Sequence, residues 1–203
     1  MKKICILGGG GIGSCVSASL TEAKLDVCLV DQWSDHINKI RTDGLDVVTT
    51  NGTTNTKINA YHLSDLAQLQ EKFDYIFMAV KAYDTQWVAK FASLYLKNNG
   101  VFVGLQNAYN DDKNSEMIGR KNVIGAVVEL SCEIFQPGIV QRNTIPSGTW
   151  FAVGELDGKI TPRLTNIQEI MLNVGKCDLI FLIISPTTVV LPVPAAPVST
   201  ANE

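Results

Sequence analysis

Lys3–Leu20 reads KICILGGGGIGSCVSASL, an apolar strand that runs into four consecutive glycines and then into small residues of helical character. Gly8, Gly10 and Gly13 fit the pattern G-x-G-x-x-G, placed where a strand hands over to a helix. Each glycine meets a separate need. Gly8 allows the tight turn out of the strand, Gly10 lets a diphosphate approach the backbone, and Gly13 lets the helix pack close to the sheet. A helix that begins here offers unpaired N–H groups and a partial positive charge to phosphate. Gly11 and Ile12 complete the turn and belong to the same cofactor-binding set, although Gly9 and Gly11 add flexibility to the pattern rather than information. A glycine-rich turn with no ligand has the same composition, so the surroundings must separate the two readings.

The next strand, DVCLVD, ends on Asp31, 18 residues after Gly13. A carboxylate there accepts hydrogen bonds from an adenine ribose; a strand-end Asp also serves as a helix cap. As a ribose ligand Asp31 favours NAD(H) over NADP(H), because it repels a 2′-phosphate. Gln32 and Trp33 follow, and the first cations beyond them are Lys39 and Arg41.

Strand and helix signals alternate through the first half of the chain. SDHINKIRTDG predicts a helix with Gly44 at its C-terminal cap. LDVVTTNGTTNTKINAYHL predicts a hairpin whose turn takes positive φ at Asn51-Gly52. SDLAQLQEK is a short amphipathic helix, and YIFMAV (Tyr75–Val80) a buried strand. Val88, Phe91, Ala92 and Tyr95 make one apolar face of a helix over Asp84–Lys97, and GVFVGLQN is the strand that follows. Beyond Lys121 come the strand-like NVIGAVVEL, GIVQR and WFAVGEL, then a helix with Thr161 as N-cap and Pro162 at its first position. Strands alternating with helices imply parallel crossovers, hence an α/β fold of Rossmann type, a doubly wound and mostly parallel sheet.

The 203 residues carry 17 basic and 20 acidic side chains with no block of either sign, which argues against nucleic acid or an anionic membrane as partner. The five cysteines are scattered and form no metal-ligand spacing, so neither a disulfide framework nor a metal site is expected. Cys5 and Cys28 lie in apolar runs and read as small buried residues. The N-terminal apolar stretch is too short for a signal peptide, and a cytoplasmic setting follows.

Ligands of doubly wound sheets lie at the carboxyl ends of the strands. Lys81 follows one such strand end, in FMAVKAYDTQ, and Gln106 and Asn107 follow another, in FVGLQNAYN. Lys81 suits a cofactor phosphate or a substrate carboxylate, and Asn107 a hydrogen bond near a nicotinamide. A solvated lysine and a turn asparagine are the plain alternatives.

ILGGGGIGS, AVKAYDT, GLQNAYND, NVIGAVVELSCEIFQPGIVQR and FAVGELDG occur in that order. With them the chain, over about Lys2–Leu179, resembles the ketopantoate reductase (2-dehydropantoate 2-reductase) family. The resemblance implies NADPH-dependent reduction of a 2-oxo acid, ketopantoate to pantoate. It places the diphosphate on Gly8, Gly10 and Gly13, and Lys81 and Asn107 beside nicotinamide and substrate. GELDG (Gly154–Gly158) reads as a strand and turn, not as catalytic. Two positions depart from the family pattern: Ala108 stands where a glycine is usual, and Asp31 where NADPH-using members often carry a base.

The family's helical second domain supplies its general acid, and no segment after Leu179 resembles that domain. SPTTVVLPVPAAPVSTANE carries four prolines in twelve residues, and no lysine follows Lys176. The sequence thus predicts a dinucleotide-binding domain over 1–178 and an apolar, proline-rich tail over 179–203, with the C-terminal helical domain missing and no catalytic acid to assign. A truncated reductase of impaired activity follows, or a non-catalytic dinucleotide-binding module. The apolar LIFLII, without its natural cover, implies self-association into an oligomer.

Overall fold

Alternate residues of the apolar runs enter two different cores. Ile4 and Ile6 pack on one face of the sheet with Val27, Leu29, Tyr75, Phe77, Val101 and Val103. Cys5 and Leu7 pack on the other with Cys28, Val30, Ile76, Met78 and Phe102. Strands apolar on both faces must be covered on both.

The computed structural model describes residues 2–106, 110–183 and 189–192. In chain order it contains β1 (Lys3–Leu7), α1 (Gly11–Glu22), β2 (Asp26–Asp31), α2 (Ser34–Asp43), β3 (Leu45–Thr49), β4 (Gly52–Thr56), β5 (Asn59–His62), α3 (Leu66–Leu69), β6 (Phe73–Met78), α4 (Thr85–Ser93) and β7 (Leu96–Gly104). There follow α5 (Asp111–Ile118), β8 (Val123–Glu129), β9 (Cys132–Gln136), β10 (Ile139–Arg142), β11 (Trp150–Glu155), α6 (Pro162–Met171), β12 (Lys176–Ile183) and β13 (Val189–Pro192). The main sheet has the order β13-β12-β11-β8-β7-β6-β1-β2-β5. Its block from β5 to β8 is parallel throughout. β11 then joins antiparallel to β8. The chain winds outward from β1 to β2 and β5 on one side and to β6, β7 and β8 on the other, the doubly wound arrangement the sequence implies.

α1, α2 and α6 cover the face of Ile4 and Ile6, and α3 and α4 cover the face of Leu7. Thr161 caps α6 through its hydroxyl, which accepts the N–H of Leu164, with Pro162 next as expected. Gly44 ends α2 at φ +88°. Cys5 and Cys28 are register partners on adjacent strands, both buried. Among the described residues no helix is long and apolar enough to cross a membrane.

Three expectations are corrected. The segment 45–62 is not one hairpin: β3 and β4 pair antiparallel, but β5 leaves them to join the main sheet beside β2. Of Asn51 and Gly52 only the glycine takes positive φ. β3 also pairs in parallel with β10, building a second sheet of order β4-β3-β10-β9. The helix expected over Asp84–Lys97 ends at Ser93, because Tyr95 turns its carbonyl to the N–H of Phe73 at 2.8 Å and Leu96 begins β7.

β12 runs through residues 178 and 179, so the run from Leu179 to Ile183 continues the sheet. It pairs in parallel with β11 and antiparallel with β13. Pro192 closes that outermost strand, where a missing N–H is tolerated.

Candidate functional site

The chain reverses direction around β1, so the carboxyl ends of β1 and β6 lie side by side at the point where the crossovers diverge. The ladder continues past both strand ends: Gly8 N–H donates to Val30 O, and Ala79 N–H to Leu7 O, each at 2.8 Å. Gly8 turns there at φ +112°, and a Cβ on it would stand 2.9 Å from the Ala79 backbone. Both facts demand glycine. Gly13, one turn into α1, faces the Gly8 carbonyl so closely that a Cβ would meet its oxygen at 1.8 Å. A Cβ on Gly10 would meet nothing within 4 Å. That open space lies at the N-cap of α1, where helix geometry leaves the N–H groups of Gly11, Ile12 and Gly13 without intrahelical acceptors. It is the cradle a diphosphate fits.

Gly11 is a correction. A Cβ there would lie 2.9 Å from the Cys132 carbonyl oxygen and 3.1 Å from its Sγ. The residue is needed for packing against β9, and is not spare.

A cleft of about 640 Å³ opens over these residues. Gly8, Gly10, Gly11, Ile12, Asp31 and Lys81 all line it, together with Gln106. Gly13 sits beneath it as packing. Asn107 lies outside the described residues. Lys81 is exposed, just before a 3-10 turn over Ala82–Asp84, and is the one cation lining the cleft among the described residues. Asp31, Asp84 and Glu133 line it as acids.

Asp31 does not cap α2, whose N-cap is Trp33. Its Oδ2 accepts the Gly9 N–H at 2.5 Å and its Oδ1 the Trp33 N–H at 2.7 Å. A carboxylate oxygen carries two lone pairs, so each can still accept a hydroxyl from the cleft. The carboxylate thereby locks the glycine turn to the end of β2.

A buried chain of hydrogen bonds supports the same turn. His36 Nδ1 accepts the Gly138 N–H at 2.9 Å, which places the ring proton of the neutral imidazole on Nε2. Nε2 stands 3.2 Å from Ser14 Oγ, and Ser14 in turn donates to the Gly9 carbonyl at 2.8 Å. His36 is fully buried and stacks on Trp33 with centroids 5.3 Å apart. Burial holds its pKa below the ordinary value, against the charge of Asp31. Local sequence gives no sign of this role for His36, because its partners lie on α1 and on the β9–β10 turn.

Gln106 joins two strand ends. Its side-chain amide donates to the Val80 carbonyl at 2.8 Å, and it bonds buried Thr85 at the start of α4. It fixes the loop that carries Lys81. GELDG is structural: Glu155, only 3% exposed, takes a two-pronged bond from Arg163 and a hydroxyl from Thr161.

Residues 4–157 match the family described as Ketopantoate reductase PanE/ApbA. The chain belongs to this family. The chain is 29% identical to a 2-dehydropantoate 2-reductase of Archaeoglobus fulgidus over 176 residues, 86% of this chain and 54% of that one. It is 33% identical to the Pyrococcus horikoshii 2-dehydropantoate 2-reductase over 140 residues, 68% of this chain and 44% of that one. The chain thus spans about half the length of the curated relatives it matches. In fold it is similar to the 2-dehydropantoate 2-reductase of Porphyromonas gingivalis W83, with TM-score 0.77 at 20% identity over 88% of this chain and 63% of that one. It is similar also to a D-mandelate dehydrogenase solved with NADH and anilino(oxo)acetate, with TM-score 0.76 at 18% identity over 87% of this chain and 56% of that one.

Proposed function

We propose that this chain is the dinucleotide-holding part of a nicotinamide-dependent reductase of 2-oxo acids, with ketopantoate as the substrate its relatives' names suggest. One observation carries the reading. The open turn at Gly10, the free first-turn N–H groups of α1 and the Asp31 carboxylate converge on a single cleft.

In this reading the N–H groups of Gly11, Ile12 and Gly13 hold the diphosphate and Asp31 accepts the ribose hydroxyls. NADH is favoured over the NADPH expected of the family, because Asp31 would face a 2′-phosphate. The first cations after Asp31 are engaged elsewhere, Lys39 with Asp43 and Arg41 with Asp65. Lys81 orients the substrate carboxylate, and Asn107 stands by the nicotinamide and substrate. A bound nicotinamide supplies the hydride. The unit that does this is the dinucleotide-binding domain expected over 1–178, in a cytoplasmic setting, with β12 carrying its sheet past that boundary to Ile183.

Reducing a ketone also requires a proton on its oxygen, and lack of a positioned donor costs about 10²–10⁴ in rate. The family resemblance puts that donor in a second domain. A non-catalytic dinucleotide-binding module is therefore the second reading, favoured because Lys81 is the lone cation of the described cleft. Fluorescence titration with NADH and NADPH, followed by an absorbance assay with ketopantoate, decides between them. Binding with slow oxidation supports the impaired reductase, and binding with none supports the module. If neither nucleotide binds, both readings fail.

A further inference from the structure

Gly11 and Cys15 are one helical turn apart on α1, and the Cys132 sulfur lies over that turn, 3.1 Å from where a Gly11 Cβ would be. Cys15 is buried in the core against which Cys132 packs, while Cys132 is half-buried and lines the cleft. Strand register sets Arg142 directly opposite Cys132 in the β9–β10 pair.

Arg142 is the unusual neighbour. It is 5% exposed, and among the described residues its guanidinium is engaged by neutral groups: the carbonyls of Thr144 and Val174 and the hydroxyls of Ser19 and Thr149. Among the described residues it has no carboxylate within ion-pair distance. A buried cation without a counter-charge costs several kcal/mol, so the site favours an anion nearby. A thiolate on Cys132, its register partner, would be such an anion. Lys81 across the cleft and the N-terminus of α1 favour the same charge.

We propose that Cys132 is a peroxide-reactive cysteine in the cleft wall and that Cys15 is the thiol that resolves it, so that oxidation joins β9 to α1 through a disulfide. The hydrogen bond from Cys15, with Arg142 and Lys81, holds the Cys132 thiol below its ordinary value against burial and Glu133. In the first step the Cys132 thiolate attacks a hydroperoxide. An S–O bond forms, the O–O bond breaks, and the departing oxygen takes a proton; sulfur is oxidised by two electrons and the peroxide reduced. In the second step the Cys15 sulfur attacks the sulfenic sulfur. The S–S bond forms, the S–O bond breaks, and the hydroxyl leaves as water with the Cys15 proton. In the reduced protein the neighbouring Cys132, and burial after it, push the Cys15 thiol up, so Cys132 is the sulfur that meets peroxide first. Cys5, Cys28 and Cys177 are buried in the strands and serve as internal controls.

The test is thiol mapping of the reduced 203-residue protein by mass spectrometry. N-ethylmaleimide should label Cys132 on the order of tenfold or more faster than Cys5, Cys28 or Cys177. Hydrogen peroxide should yield a Cys15–Cys132 linked peptide lacking two hydrogens, reversible by dithiothreitol. In Cys15→Ser, dimedone should trap sulfenic acid at Cys132 and no linked peptide should form. Labelling of Cys132 no faster than Cys5 overturns the proposal, as does a peroxide product that spares Cys132. Neither readout depends on whether the cleft holds a dinucleotide.

Discussion

His36 Nδ1 accepts the backbone N–H of Gly138 at 2.9 Å, tying α2 to the β9–β10 turn across 102 residues of chain. The bond needs a lone pair on Nδ1, and a protonated ring has none to give. The folded pKa is depressed by burial, with Asp31 opposing; Ser14, Gly138 and Trp33 are the other groups against the ring, and none of them is charged. The stability this bond contributes is fully present above the unfolded value of about 6.5 and is lost as pH falls through the folded one. Urea midpoints measured between neutral and acid pH should therefore fall, and His36→Gln should flatten the part of that slope due to the imidazole. An unchanged slope in the variant would show that His36 is not the group.

Gly10 and Gly13 should separate binding from folding. Gly10→Ala meets no atom within 4 Å and its φ of −65° suits alanine, so the melting temperature should hold while nucleotide affinity drops by tenfold or more, on the order of one lost contact. Gly13→Ala would press a methyl to 1.8 Å from the Gly8 carbonyl, which forces α1 off the sheet and costs about 1–3 kcal/mol or more. Thermal denaturation and fluorescence titration of the two variants read the difference. Equal loss of stability in both would refute the division of roles.

Asp31→Ala removes the carboxylate that faces the proposed ribose and orphans the Gly9 N–H. NADH binding should weaken by about 10–100-fold, the value of a charge-assisted hydrogen bond, while NADPH loses less or gains. Parallel titrations of both nucleotides check this. A variant that loses both equally would mean that Asp31 only holds the turn.

Arg163→Ala leaves the 3%-exposed Glu155 with the Thr161 hydroxyl as its remaining side-chain partner. Breaking such a buried pair from one side costs about 3–5 kcal/mol. Denaturant unfolding should show that loss with little change in nucleotide affinity, since neither residue lines the cleft.

Much of the frame was legible because its signals are local. A strand, a glycine turn and a helix of small residues lie within eighteen positions, and Asp31 follows one strand later. The second sheet was not legible, because β3 finds β10 only after ninety residues of chain, and neither run is apolar enough to announce a partner. α5 escaped notice because DDKNSEMI shows no apolar stripe. Gly11 looked redundant for the same reason that Cys132 looked isolated: each is explained by the other, and they are far apart in sequence. Spacing alone makes Asp31 a ligand or a cap; its bonds to Gly9 and Trp33 are a third role that spacing does not carry.

The small sheet takes β3 and β4 from the first third of the chain and β9 and β10 from well past its middle. A ribosome making this protein releases all five glycines of the turn long before Ser131 and Cys132 exist to face them. Until Arg142 has emerged, the nascent chain carries the glycine turn with one wall of its cleft absent and His36 without Gly138. The order of synthesis thus delays the finished cleft, and a chaperone meeting the early chain would find the turn open on that side.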